Sequence, residues 1–363
     1  KRNLPLVRVI ADSFRRHHPE VPFYVLLTDQ PEGYFDPAAE PFIVLTLDDL
    51  DVGALWPACF TYPRQNMEYA ATPSLLAHLL NLHARVVFIK QESLVVGDLG
   101  YAFEALKTNS VVLTPHLLSP PEDVERELNV LLAGTYNLGF LGLAAGDETS
   151  RFLAWWQERL IDHCVRDVAR GTHFEQRWVD LAPGFFRDVF VARDPGANVG
   201  HWSFPERVVE VHGDRVTVDG APARLMRFSG YDPDEPQKVS RYSRMTTADI
   251  GQAALVFDRY RELLMAAGYE TARHWPYAFD RFDNGAPILE CVRTMYTNLD
   301  DQARSFGNPF QTGRSNSFFR WLMALVDGQN GPFPVTRFWY GIYKERPDLR
   351  QAFPDALGAD REA

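Results

Sequence analysis

The sequence predicts an α/β fold in which a mostly parallel sheet carries helices on both faces, followed by a mostly helical C-terminal region. Three observations carry this. Short β-branched and aromatic runs alternate with helix-period segments through the first 115 residues. A long amphipathic stretch begins at residue 147. Beyond Pro236, strand-like runs give way to helical ones.

The elements follow in order. Leu6, Val9, Ile10 and Phe14 recur at helix spacing until Pro19 and Pro22 break the run, and Phe23 to Leu27 reads as a buried strand closing on Thr28-Asp29. Phe42 to Leu45 is a second strand. Residues 66–80 are helical, with Pro73 starting or interrupting them, and Arg85 to Ile89 and Val111 to Thr114 are further strands. Strands fed by helices imply a mostly parallel sheet, with ligands outside the carboxyl ends of the strands, which puts Asp29 and the 90–92 segment at one rim. After Pro120-Pro121 comes a helix, then an apolar strand from Thr135 to Leu143 that contains Asn137, Gly139 and Gly142. Residues 147–170 form a long helix with Phe152, Trp155, Trp156, Leu160 and Cys164 as its apolar stripe. Asp219-Gly220 predicts a hairpin joining Arg215–Val218 to Leu225–Phe228. Val256 to Ala267 is a helix closed by Gly268, another helix lies around 317–326, and the chain ends in an acidic segment. The domain boundary is placed near 240, giving units 1–240 and 241–363.

Charge and cysteine usage narrow the function. The 363 residues carry 48 acidic and 37 basic side chains, a net charge of -11, and the basic residues are dispersed, so no broad nucleic-acid footprint is expected. Three cysteines, Cys59, Cys164 and Cys291, lack metal-ligand spacing and fit a reducing, cytoplasmic compartment without disulfides. No apolar run approaches the roughly 20 residues that span a bilayer. Dinucleotide, phosphate-loop and nucleophile-elbow patterns are missing.

What remains is an ordered set of blocks: a strand ending in Asp29, a strand ending in Lys90-Gln91-Glu92, Tyr136-Asn137-Leu138-Gly139-Phe140, Phe174-Glu175-Gln176-Arg177-Trp178, Asp194 to Asn198, and Arg227-Phe228-Ser229-Gly230-Tyr231. Over about residues 4–241 this order resembles a nucleotide-sugar-dependent glycosyltransferase of the GT-A type, near the retaining family of glycogenin-like and bacterial galactosyltransferases. The resemblance implies a GT-A-like, Rossmann-type mixed sheet. It also implies an Asp-x-Asp pair and a later His holding Mn²⁺ against the donor diphosphate.

This chain departs from that pattern. Lys90-Gln91-Glu92 stands at the Asp-x-Asp position and Arg227 at the His. Two cations repel a divalent ion but can themselves neutralise a diphosphate, Lys90 as a point charge and Arg227 bidentately, with Glu92 paired to one of them. No metal or other cofactor is expected, and a nucleotide-diphosphate sugar is the expected donor. By the same resemblance Glu175 and Gln176 organise the sugar, with the alternative that they brace the helix starting at Arg177. Asp29 contacts the nucleoside or caps the next turn. Asn137 and Gly139 line the sugar pocket or shape a strand bend. Ser229, Gly230 and Lys238 form a phosphate-contacting loop with Arg227, or a simple turn. The expected activity is sugar transfer to a saccharide or protein acceptor without a metal. The alternative is a degenerate relative that binds a nucleotide, glycan or partner, with a fused or neighbouring module carrying the chemistry.

Overall fold

The computed structural model describes residues 1–50, 55–326 and 334–355. The chain divides into two compact units: Lys1–Asp51 with Glu68–Pro276, and Val52–Met67 with Tyr277–Ala363.

In the first unit, α1 (Leu4–His17) is amphipathic and leads to β1 (Tyr24–Leu27), which pairs in parallel with β2 (Ile43–Thr46) in a two-stranded sheet. Helix α2 (Leu55–Thr61) belongs to the second unit, and α3 (Arg64–Ala70) runs into the first. Helix α4 (Thr72–Leu80) begins with Pro73 in its first turn, where the missing N–H costs no helical hydrogen bond. β3 (Arg85–Ile89) and β4 (Ser93–Val95) flank the 90–92 segment, and α5 (Gly100–Ala105), β5 (Val111–Pro115), α6 (Val124–Ala133), β6 (Tyr136–Ala144) and α7 (Asp147–His163) follow.

The main sheet has the order β3-β6-β5-β9, with β9 spanning Val189–Val191 after a small ribbon of β7 (Arg166–Asp167) and β8 (Thr172–His173) and a short α8 (Ala182–Phe185). It is mixed: β6 runs antiparallel to both β3 and β5, and only β5 and β9 are parallel. The mostly parallel expectation is thereby corrected, because the long strand β6 inserts between β3 and β5 in the opposite sense. Ile10 and Phe14 of α1 and Ala102 of α5 pack with Val87, Ile89, Val112 and Phe140, while α4, itself against α7, covers β3 from the other side.

The 209–228 region differs from the expected hairpin. β11 (Arg215–Val218) pairs with β10 (Val209–His212) and, across the Asp219-Gly220 turn, with β12 (Ala221–Pro222). Both turn residues have positive φ, 51° and 78°, the requirement of the tightest hairpin turns. β13 (Leu225–Arg227) leaves that ribbon and pairs instead with β4. Helix α9 (Ala253–Ala266) seals this side with Phe257, Tyr260 and Leu264 on Met226 and Phe228, and ends before Gly268 at φ 96°, with α10 (Tyr269–Ala272) after it. The helix predicted over 147–170 stops at His163, seven residues early, as Arg166 enters the β7–β8 ribbon.

The second unit is helical: α11 (Glu290–Thr297), α12 (Asp301–Arg304), α13 (Phe318–Met323), α14 (Arg337–Glu345) and α15 (Pro347–Ala352). Phe60 of α2 packs against the rings of Phe282, Tyr296, Phe310 and Phe318. Buried Arg293 ties this unit through the carbonyls of Phe60 and Phe279 and the carboxylate of Asp280. The final acidic segment lies largely outside the described residues. Cys59, Cys164 and Cys291 are buried free thiols, and no helix among the described residues is long and apolar enough to cross a membrane.

Candidate functional site

The β4–β13 pairing builds the site. It sets Arg227 opposite Ser93, while Phe228 N–H donates to the Glu92 carbonyl at 2.9 Å and Lys90 N–H donates to the Gly139 carbonyl at 3.0 Å. The end of β3, the middle of β6 and the end of β13 thus meet around the 90–92 turn.

Arg227 is 3 % exposed, and its Nη1 donates to Lys90 O at 3.0 Å and to Ser93 Oγ. Its Nη2 lies 3.7 Å from Glu92 Oε2, and its Nε has no partner among the described residues. Burial pulls the guanidinium pKa down from its ordinary value, and the Glu92 charge works against that. Gly139 is where the guanidinium passes closest: a Cβ there would overlap Arg227 Nε and stand 2.6 Å from Asn137 Oδ1.

Lys90 reaches the other way. Its ammonium pairs with Glu175 and sits 4.0 Å from the centroid of the Tyr69 ring. Glu175 is 2 % exposed, and its carbonyl accepts from Trp156 Nε1 at 3.0 Å. The preceding Phe174 has φ 49°, an unfavourable conformation for an aromatic residue, and its ring meets Tyr69 at 5.5 Å. Cys164 and His173 feel the same pair. Burial raises the Cys164 thiol, with Glu175 adding to the rise. Burial lowers the His173 pKa, with Glu175 opposing.

Gln176 is held by backbone at both ends of its amide: Nε2 donates to Ala133 O at 2.9 Å, and Oε1 accepts from Leu138 N at 3.0 Å. A sugar contact by this residue requires release of one of these bonds. Asn137 Oδ1 accepts from Gly139 N at 2.8 Å and from Asn198 Nδ2 at 3.1 Å, and Asn137 Nδ2 stands 3.0 Å from His116 Nε2.

The structure therefore brings together Lys90, Glu92, Asn137, Gly139, Glu175, Gln176 and Arg227. Ser229 and Gly230 continue from β13 in a turn where Ser240 Oγ donates to Ser229 O at 2.7 Å and Gly230 adopts φ 73°. Lys238 lies exposed in an ion pair with Glu235 at 2.7 Å. Buried Asp29 accepts from Gln30 N at 2.8 Å and from Lys1 Nζ at 3.4 Å. A cavity of about 260 Å³ between β1 and β3 is lined by apolar side chains such as Val25, Leu75 and Val87, and also by Thr28, Tyr69 and Lys90. Tyr69, Phe174 and Ser93 were missed by sequence reasoning. Only Phe174, next to Glu175, lay inside a block already singled out.

The donor set does not suit a divalent ion, since a metal between Glu92 and Glu175 would face the Lys90 ammonium and the Arg227 guanidinium. Among the described residues no group of three or more His, Cys, Asp or Glu side chains converges at metal-binding distance.

No family model matches the chain. It is 27% identical over 209 residues to the uncharacterized protein YfnF of Bacillus subtilis (strain 168), covering 55% of this chain and 68% of that protein. It is 31% identical over 138 residues to the uncharacterized protein YfnD of the same organism, covering 37% of this chain and 43% of that one. Among solved structures, a galactosyltransferase LgtC in complex with donor and acceptor sugar analogues is similar at 16% identity and a TM-score of 0.44, over 72% of this chain and 92% of that chain.

Proposed function

We propose that the chain is a glycosyltransferase that binds a nucleotide-diphosphate sugar at the end of β3 without a metal and passes the sugar to a saccharide or protein acceptor. The observation that carries this is that two cations meet the 90–92 turn from different sides: the Lys90 ammonium is held by Glu175 over Tyr69, and the Arg227 guanidinium, reaching in from β13, is bonded to the Lys90 carbonyl. Lys90 would exchange Glu175 for the diphosphate as a donor enters, and Arg227 would add a fixed positive charge beneath it. Glu175, released from Lys90, would face the sugar, and Gln176 would hold the wall between Ala133 and Leu138. Asp29 would sit on the nucleoside side, and Ser229, Gly230 and Lys238 on the phosphate side. Residues 1–240 would supply the donor contacts and 241–363 those to acceptor or partner.

A specific observation favours a second reading. Both ends of the Gln176 amide and one arm of the Arg227 fork, Nη1, are spent on the protein itself. A binding module that retains the diphosphate site without the chemistry would look the same.

Calorimetry with UDP, GDP and their sugars in EDTA tests the site, with Lys90→Ala expected to weaken binding at least tenfold. Absence of binding by every diphosphate, or full binding by the variant, overturns it. Release of nucleotide from a bound sugar donor, reduced by Glu175→Gln, separates the enzyme from the binding module.

A further inference from the structure

Helix α6 is amphipathic in an inverted sense. Val124, Leu128, Leu131 and Leu132 are 58 %, 45 %, 60 % and 48 % exposed, and no residue of the helix is buried. At roughly 100° per residue these four occupy one stripe about 100° wide, with Glu127 along one border and Glu125 along the other. The opposite side faces the protein. Arg126, the helix's one basic residue, donates to Trp202 O at 2.6 Å and pairs with Glu206, while Ala133 O accepts from Gln176. Asp123 caps the helix by accepting from Glu125 N at 3.0 Å. The stripe is therefore turned outward by specific tethers on the inner face.

A contiguous exposed apolar stripe of this kind marks an interaction surface. Its borders choose the occupant. Glu122, Asp123, Glu125 and Glu127 are all exposed, and the single arginine is already paired inward. An anionic lipid surface would meet carboxylates on both sides, whereas a helix or extended segment with apolar anchors between lysines or arginines would satisfy the stripe and both borders together.

We propose that α6 is a docking site for a basic, apolar-anchored peptide segment of a partner protein. This stands on α6 alone and is independent of the nucleotide-sugar reading. It is tested by fluorescence anisotropy with a labelled synthetic helix bearing leucines at i, i+3, i+4 and i+7 and lysines beside them, against its glutamate-flanked counterpart. The lysine peptide should bind at least tenfold more tightly. Leu128→Ser with Leu131→Ser, both exposed positions, should lose that binding while circular dichroism is unchanged. Glu125→Lys with Glu127→Lys should reverse the peptide preference. Equal binding of the two peptides, binding of neither, or retention of binding in the serine variant overturns the proposal. So does uptake of the chain by phosphatidylcholine vesicles, or self-association in sedimentation that the same serine changes abolish.

Discussion

Gly139 shows how closely the site is fitted at the level of single residues. Its α-carbon lies under the Arg227 guanidinium and beside the Asn137 amide, both of them buried. Gly139→Ala must therefore displace a cation that holds Lys90 O and Ser93 Oγ, or break the Asn137 bond to residue 139. The expected cost is about 1–3 kcal/mol in urea unfolding, with weaker diphosphate binding alongside. An unchanged midpoint would show that Arg227 is mobile. Lys90, Arg227 and Glu175 were singled out in the sequence through the order of blocks that resembles a GT-A glycosyltransferase, which names positions without saying what each side chain touches. Tyr69 was not. It lies in a helix 21 residues before Lys90, and nothing in a helical pattern says which aromatic side chain will face an ammonium.

Between elements, buried polar contacts do the joining. His116 follows β5, Asn137 is in β6, and Asn198 precedes β13. Asn198 Nδ2 donates to Thr114 Oγ1 at 2.8 Å and to Asn137 O at 3.2 Å, which ties the three segments together. Burial pushes the His116 pKa down to about 4 from 6.5, with the His201 charge adding to the fall. Protonation at Nε2 would turn an acceptor toward the Asn137 amide into a donor. The folded pKa lies below the unfolded one, so the stabilising contribution is complete above about pH 6.5 and is lost as pH falls from there to about 4. Urea midpoints should drop across that window, with a contribution on the order of 3 kcal/mol from His116, and His116→Gln should lessen the drop without abolishing it, because burial also lowers the pKa of His201 to about 4. A variant with the wild-type slope would place the effect elsewhere. The strands themselves were readable from β-branched runs, and the 219–220 turn from its Asp-Gly pair. The partner of β13 was not, because local turn chemistry fixes only the nearest pairing, whereas β13 is drawn to β4 by the packing of Met226 and Phe228 under α9. That long-range choice is what carries Arg227 to the site.

For the molecule as a whole, the helical character of the C-terminal stretch followed from the change of pattern beyond Pro236, but the grouping of residues 52–67 with it did not, since aromatic contacts such as Phe60 with Tyr296 link positions more than 200 residues apart. Net charge is the other whole-chain property. At -11 the surface repels polyanions, and the two cations at the 90–92 turn are local, Lys90 largely and Arg227 almost wholly shielded from solvent. Screening acts over about 10 Å at 0.1 M salt and weakly on buried charges. A diphosphate bound at Lys90 should therefore lose less than about tenfold in affinity between about 50 and about 200 mM salt, whereas a duplex held by many phosphate contacts loses a thousandfold or more. Heparin or duplex DNA should not compete with the bound nucleotide at either salt concentration. Effective competition by heparin, or a steep salt dependence for the nucleotide, would mean that binding draws on a dispersed basic surface rather than on the turn between β3 and β4.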